Sequence, residues 1–325
     1  MPGASHEEQL TKYIADAHSI EEQALPQMKL GPRLAGDPDI AEMFRLHEAE
    51  TEEHERLTRE RLEAHGGSPS KIKDAVMSAS GPGFALFARL QPDTSGKLVS
   101  HAYSYEHLEL ASYELLERVA ERLGDAETAE VARRIKDQEQ AMAERLAGAF
   151  DRAADVSLAE VEPDDLTEQL TKYLADAHAL EAQAIELLDK APKVAGDPEL
   201  ERAYADHLRE THEHQRLVAE RLEAHGAAPS KLKDAAMSLG GLNWGGFFAA
   251  HPDTPGKLAA FAYAFEHLEI AGYEQLRHVA DRTGDRETVA VAERILGEER
   301  AAAQKLAGLW DRAAEASLRE QSVEG

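Results

Sequence analysis

The chain is one stretch of sequence written twice. Gln9-Leu10-Thr11-Lys12-Tyr13 returns as Gln169-Leu170-Thr171-Lys172-Tyr173, an offset of 169 − 9 = 160. At the same offset Arg61-Leu62-Glu63-Ala64-His65-Gly66 returns at Arg221, Glu106-His107-Leu108-Glu109 at Glu266, and Asp151-Arg152-Ala153-Ala154 at Asp311. No gap is needed, and more than half the positions are identical. A repeat of this length is a duplicated domain and not a short-period solenoid. Any fold proposed for one half must therefore serve the other, with domains at 1–160 and 161–325. The joint lies near Val156 to Asp165, where Glu162-Pro163-Asp164-Asp165 reads as a linker and helix start.

Each half reads as helical. Ala, Leu, Glu and Arg dominate and β-branched residues are sparse. The first helix is expected from Glu7 to Arg33. Gly36-Asp37-Pro38 then stops and restarts the chain, with Asp37 as N-cap and Pro38 at the first helical position. A second helix runs from Pro38 to His65 and ends at Gly66-Gly67. A third begins between Thr94 and Lys97 and ends before Gly124. A fourth, capped by Asp125, is expected to run unbroken to about Ala154. The fold class is therefore all-α, four helices to each half. Between the second and third helices lies a stretch rich in Gly, Ser and Pro. Pro69 to Met77 reads as a short helix and Ser78 to Pro92 as a loop. In the second copy, Leu239 to Phe248 is apolar enough to read as a packed plug.

At helical spacing each apolar face is interrupted near its middle. The first helix reads Leu10, Ile14, Ala17, then Glu21, then Ala24, Leu25 and Met28. The second reads Ile40, Met43, Phe44, then His47, Glu50 and His54, then Leu57. The third reads Leu98, Ala102, Tyr103, then Glu106, Glu109 and Tyr113, then Leu116. The fourth reads Ala132, Ile135, Glu139, Met142 and Leu146. The second copy keeps Glu181, His207, Glu210, His214, Glu266, Glu269 and Glu299 in register.

An ionised carboxylate in an apolar core costs several kcal/mol unless its charge is compensated. No Lys or Arg lies centrally on these faces. Bound metal is the simplest compensation: five carboxylates, −5, against two divalent ions, +4, leave each half nearly neutral. Carboxylate and imidazole donors suit iron, manganese or zinc, and the chain has no cysteine to offer a soft ion. The candidate ligands are Glu21, Glu50, His54, Glu106, Glu109 and Glu139, with Glu181, Glu210, His214, Glu266, Glu269 and Glu299. His47 is expected to support Glu50 from outside the ligand set. His18 and His107 are expected to be structural. Tyr113, one turn after Glu109, could hydrogen-bond a ligand carboxylate.

These residues resemble the ferritin-like di-metal carboxylate pattern, and most of all the stress proteins typified by YciE and YciF. The resemblance rests on Ala17-His18-Ser19-Ile20-Glu21-Glu22-Gln23, on His47-Glu48-Ala49-Glu50-Thr51-Glu52-Glu53-His54, on Glu106-His107-Leu108-Glu109 with Ala111 and Tyr113, and on Asp137-Gln138-Glu139. It spans nearly all of each half apart from the Gly/Ser/Pro-rich insertion. It implies two tandem ferritin-like four-helix bundles, each with two divalent ions, iron or manganese, and a link to stress responses. The activity implied is metal binding or the handling of oxygen or peroxide by a di-iron or di-manganese centre. The pattern departs from the general one at three places. The second helix carries Glu50-x-x-x-His54, the third carries Glu106-x-x-Glu109, and Met142 or Ala302 stands three residues after the last glutamate instead of His.

Charge and composition remove other classes. Sixty-two acidic residues against 36 basic ones give a net charge of −26, which repels nucleic-acid backbones and anionic lipid. No phosphate loop, nucleophile elbow or His-Glu-x-x-His helix occurs. No apolar run is long enough for a membrane span. Met1 to Leu10 lacks a secretory signal, so the expected location is cytoplasmic. The expected assembly is a pseudo-dimer within one chain, as a monomer or small homo-oligomer. The alternative function is a non-catalytic structural or interaction module without metal.

Overall fold

A computed structural model describes residues 6–68, 94–159, 161–228 and 254–321. The expected short helix at 69–77, the loop at 78–92 and the plug at 239–248 lie outside them. Among the described residues there are ten α-helices and no strand. The first half has α1 (His6–Leu34), α2 (Pro38–Ala64), α3 (Thr94–Leu123), α4 (Ala126–Ala147) and α5 (Phe150–Leu158). The second has α6 (Leu166–Lys190), α7 (Pro198–Ala224), α8 (Thr254–Thr283), α9 (Arg286–Ala307) and α10 (Trp310–Gln321). The chain divides into two compact units between Ser157 and Leu158.

Local chemistry sets the helix ends. Asp37 Oδ1 accepts the amides of Asp39 at 2.9 Å and Ile40 at 3.1 Å, and Pro38 follows at the first helical position. Gly66 closes α2 with φ of +69°, a conformation that disfavours a side chain. The amide of Gly67 then reaches back to the Leu62 carbonyl at 2.9 Å. Asp125 caps α4 by accepting the Thr128 amide at 3.1 Å. The same carboxylate receives Arg61 at 3.1 Å and His65 at 2.8 Å, so one residue joins the end of α2 to the start of α4. Asp285 repeats this with Arg221 at 2.9 Å and His225 at 2.7 Å.

In each half four long helices form a ring. α1 packs on α2 and α3, and α4 closes the ring against both; α6 to α9 do the same. The interior carries Ile14, Ala17, Ala24 and Met28 from α1, and Ile40, Phe44 and Leu62 from α2. Leu98, Leu116, Ile135, Met142 and Leu146 complete it from α3 and α4.

One expectation fails. The fourth helix does not run unbroken to Ala154: α4 stops at Ala147, Gly148 caps it, and α5 starts at Phe150. Glycine is a poor helix former, and Gly308 stands at the same place in the second half. The break re-aims the chain. Phe150 then meets Tyr103 edge to face at 5.0 Å, and Arg152 reaches the capping Asp37 at 2.8 Å.

Candidate metal centre

The middle of each ring is polar and buried. Glu21 on α1, His47 and His54 on α2, Glu106 and Glu109 on α3 and Glu139 on α4 are all buried. On α2 the buried face reads Ile40, Phe44, His47, Thr51, His54, Thr58 and Leu62. Steps of three and four residues therefore carry both histidines, seven residues apart, on the centre of that face.

Two groups that could hold a metal ion share one carboxylate. His47 Nε2 lies 3.1 Å from Glu106 Oε2 and 3.1 Å from Glu139 Oε2, and Glu109 completes this group. His54 Nδ1 lies 2.7 Å from Glu139 Oε1 and 3.7 Å from Glu21 Oε2. Glu139 thus turns one oxygen to each imidazole. The second half repeats the arrangement. His207 Nε2 lies 2.9 Å from Glu266 and 3.3 Å from Glu299 Oε2, while His214 Nδ1 lies 2.8 Å from Glu299 Oε1 and 3.7 Å from Glu181. Glu269 stands with the first of these groups.

Outer partners fix the rings. His47 Nδ1 lies 2.9 Å from Glu50 Oε2, a carboxylate that accepts its proton and leaves Nε2 facing the cluster. His54 turns Nε2 to Gln138 Oε1 at 3.2 Å and leaves Nδ1 facing inward. The counterparts are His207 with Glu210 at 3.1 Å and His214 with Glu298 at 2.6 Å. The Tyr113 hydroxyl donates to Glu21, and that of Tyr273 to Glu181.

The structure therefore brings together Glu21, His54, Glu106, Glu109 and Glu139, and in the second half Glu181, His214, Glu266, Glu269 and Glu299. It does not bring Glu50 or Glu210 into either group. They stand at the rim, their side chains 26% and 49% exposed. His47 and His207, expected outside, lie inside. The seven-residue interval from His47 to His54 is the signal that places them there. A smaller group of His18, Glu22 and Glu55 also gathers in the first half. Its counterparts are His178, Ala182 and Gln215. His107 has the expected structural contact, its Nδ1 2.7 Å from the Tyr103 carbonyl.

Charge in the cluster is unevenly shared. Burial, with Glu139 nearby, pushes Glu21 up to about 8. Burial also pushes Glu106 up to about 8 and Glu109 well above the carboxylate range. Burial pushes Glu139 the same way, but hydrogen bonds from His47 and His54 outweigh it and hold Glu139 well below that range. Burial depresses an imidazole, yet Glu106, Glu139 and Glu50 hold His47 well above its ordinary value. Glu181 and Glu266 are pushed by burial to about 8 and about 7.

The donor set fits divalent ions. Both oxygens of Glu109 are buried without a hydrogen-bond donor, as are both of Glu269. Such atoms are costly unless something binds them. Four inward carboxylates, −4, match two divalent ions, +4, without Glu50. Among the described residues no helix is long and apolar enough to cross a membrane.

Fold and site together define a class: all-helical bundles built around a buried carboxylate–imidazole cluster able to hold metal. Residues 5–159 and 165–319 each match a domain of unknown function, DUF892. The chain belongs to that family, the YciF-like family, as two tandem members. No solved structure matches the chain.

Proposed function

We propose that each half is a ferritin-like centre for two divalent ions, iron or manganese, and that the protein binds these ions or handles oxygen or peroxide with them under stress, in the cytoplasm. One observation carries this reading. In both halves a single buried glutamate, Glu139 or Glu299, turns its two oxygens to two separate histidine-containing groups. A carboxylate shared between two such groups is a bridging arrangement.

His47, Glu106 and Glu109 would hold one ion, Glu21 and His54 the other, and Glu139 both. The ions would supply Lewis acidity and one-electron redox capacity. The protein supplies the rest. Glu50 and Gln138 hold the imidazoles in the ligating tautomers. Tyr113 fixes Glu21 through its hydroxyl. The apolar layers above and below, from Ile14 and Ile135 to Leu116 and Leu146, keep bulk water out. Glu21 and Glu106, which burial pushes up to about 8, would have to give up their protons to serve as ligands.

A second reading has an observation of its own. Protons on His47 and His54, +2, offset the ionised Glu139 and Glu50, −2, while Glu21, Glu106 and Glu109 stay protonated and uncharged, so the cluster can also be neutral as a structural polar core. The test combines metal content with peroxide turnover, comparing wild type with a variant carrying Glu21→Gln, Glu139→Gln, Glu181→Gln and Glu299→Gln. Metal retained only by wild type, with peroxide consumed, supports the proposal. Metal without turnover supports storage, and equal metal in both proteins supports the structural reading.

A further inference from the structure

The two halves differ at one corner of the cluster. Three residues after the bridging glutamate stands Met142 in the first half, fully buried, and Ala302 in the second. At the same offset Met43 is replaced by Ala203 and Phe44 by Tyr204. The second half has a cavity of about 100 Å³ there, lined by Ala203, Ala302, Tyr204, His207, Glu266 and Lys305. A water needs roughly 10–15 Å³ on that measure, so the space holds several waters or one small molecule. Exposure of the cluster follows. The side chains of His207 and Glu266 are 7% and 3% exposed, where those of His47 and Glu106 are 0%.

The cavity wall also carries an unused donor. The Tyr204 hydroxyl is buried and has no hydrogen-bond partner, in a side chain only 1% exposed. A buried hydroxyl left unpaired is unfavourable unless a ligand or water meets it. Phe44 leaves no such group in the first half. The cavity therefore pairs a face of the cluster, His207 and Glu266, with a lining tyrosine whose buried hydroxyl has no partner.

We infer that the second half alone admits a small oxygen-donor ligand, the size of peroxide or formate, which enters beside Ala203 and Ala302, meets the centre at His207 and Glu266, and accepts a hydrogen bond from Tyr204. This rests on the metal-binding reading above. The first half, with Met142 and Phe44 in these places, holds its ions closed to such a ligand.

The test uses the full chain in two arms. In the first, protein loaded with ferric iron is titrated with azide, a three-atom probe followed by its absorption on iron. Ala302→Met abolishes the azide signal with iron content unchanged. Met142→Ala adds a second azide site. Tyr204→Phe weakens azide binding about two- to tenfold, the span of one hydrogen bond. Azide binding that is the same in Ala302→Met as in wild type overturns the inference. The second arm needs no metal. The chain has no cysteine, so Ala302→Cys carries the sole thiol. Methyl methanethiosulfonate should modify it at least about tenfold faster than Ala292→Cys, a buried site on the same helix that reacts only through local opening. Equal rates overturn the opening whatever the iron content. A fast thiol in a protein that takes up no iron refutes the metal centre instead, and with it the bound ligand.

Discussion

Glu139 and Glu50 separate two roles that the sequence pattern alone had merged. Glu139 faces both imidazoles, so Glu139→Gln, which removes its charge and turns one of its two oxygens into an amide nitrogen, breaks the shared contact and should empty the first half of both ions. Glu50 meets His47 Nδ1 at 2.9 Å and Arg145 at 3.6 Å, and belongs to neither inward group. Glu50→Gln should leave the ions bound but lower their affinity about 10- to 100-fold, the usual effect of losing the partner of a ligating imidazole. Competition with a chelator of known affinity reads this directly; an affinity loss as complete as that of Glu139→Gln would place Glu50 inside the ligand set. The inward carboxylates were legible from the sequence because Glu21, Glu106, Glu109 and Glu139 interrupt otherwise apolar faces. The exchange of His47 for Glu50 was not. Both lie near the same face, and the seven-residue interval to His54 that favours His47 is a weak signal until packing within the ring turns that side chain inward.

At the scale of the helix, the caps and the ring were legible for local reasons. Asp37-Pro38, Gly66 and Asp125 act through their own backbones and short side chains, so the sequence is enough. Asp125 does more than cap: it accepts the Thr128 amide and joins Arg61 and His65 across the bundle. Asp125→Ala should destabilise the first half by about 1–3 kcal/mol, the sum of a lost cap and the lost bonds from Arg61 and His65. Urea unfolding measures it, and a change under about 0.5 kcal/mol, the scale of an ordinary surface substitution, would contradict this role. The break between α4 and α5 was not legible, although Gly148 and Gly308 mark it. A lone glycine is tolerated inside many helices. The break is set by distant contacts, Phe150 on Tyr103 and Arg152 on Asp37, which no local pattern shows.

Over the whole molecule, the duplication fixes the architecture while the divergence of the copies carries the difference in access. The offset shows the first at once; the second appears only when Ala203, Ala302 and Tyr204 are found around one cavity. The inward acids also shape the response to pH. Glu21 and Glu106 keep their protons to about 8 when folded but lose them near 4.5 when unfolded. Between those values the folded state binds more protons, so stability falls as pH rises. His47 and His54, raised when folded, act in the same direction, and Glu139, lowered, acts only below about 4.5. Metal-free protein should therefore unfold at lower urea at pH 8 than at pH 5, and added divalent metal should restore more stability at pH 8. A metal-free midpoint that rises over this interval would contradict the cluster as described.

The central claim is that each half holds its own pair of ions on a shared glutamate. Elemental analysis of purified full-length protein tests it with four proteins: wild type, Glu139→Gln, Glu299→Gln and the double variant. About four ions per chain in wild type, about two in each single variant and none in the double variant is the expected result for two independent paired sites. The same metal content in all four proteins, or none in wild type after loading with iron or manganese, would contradict it.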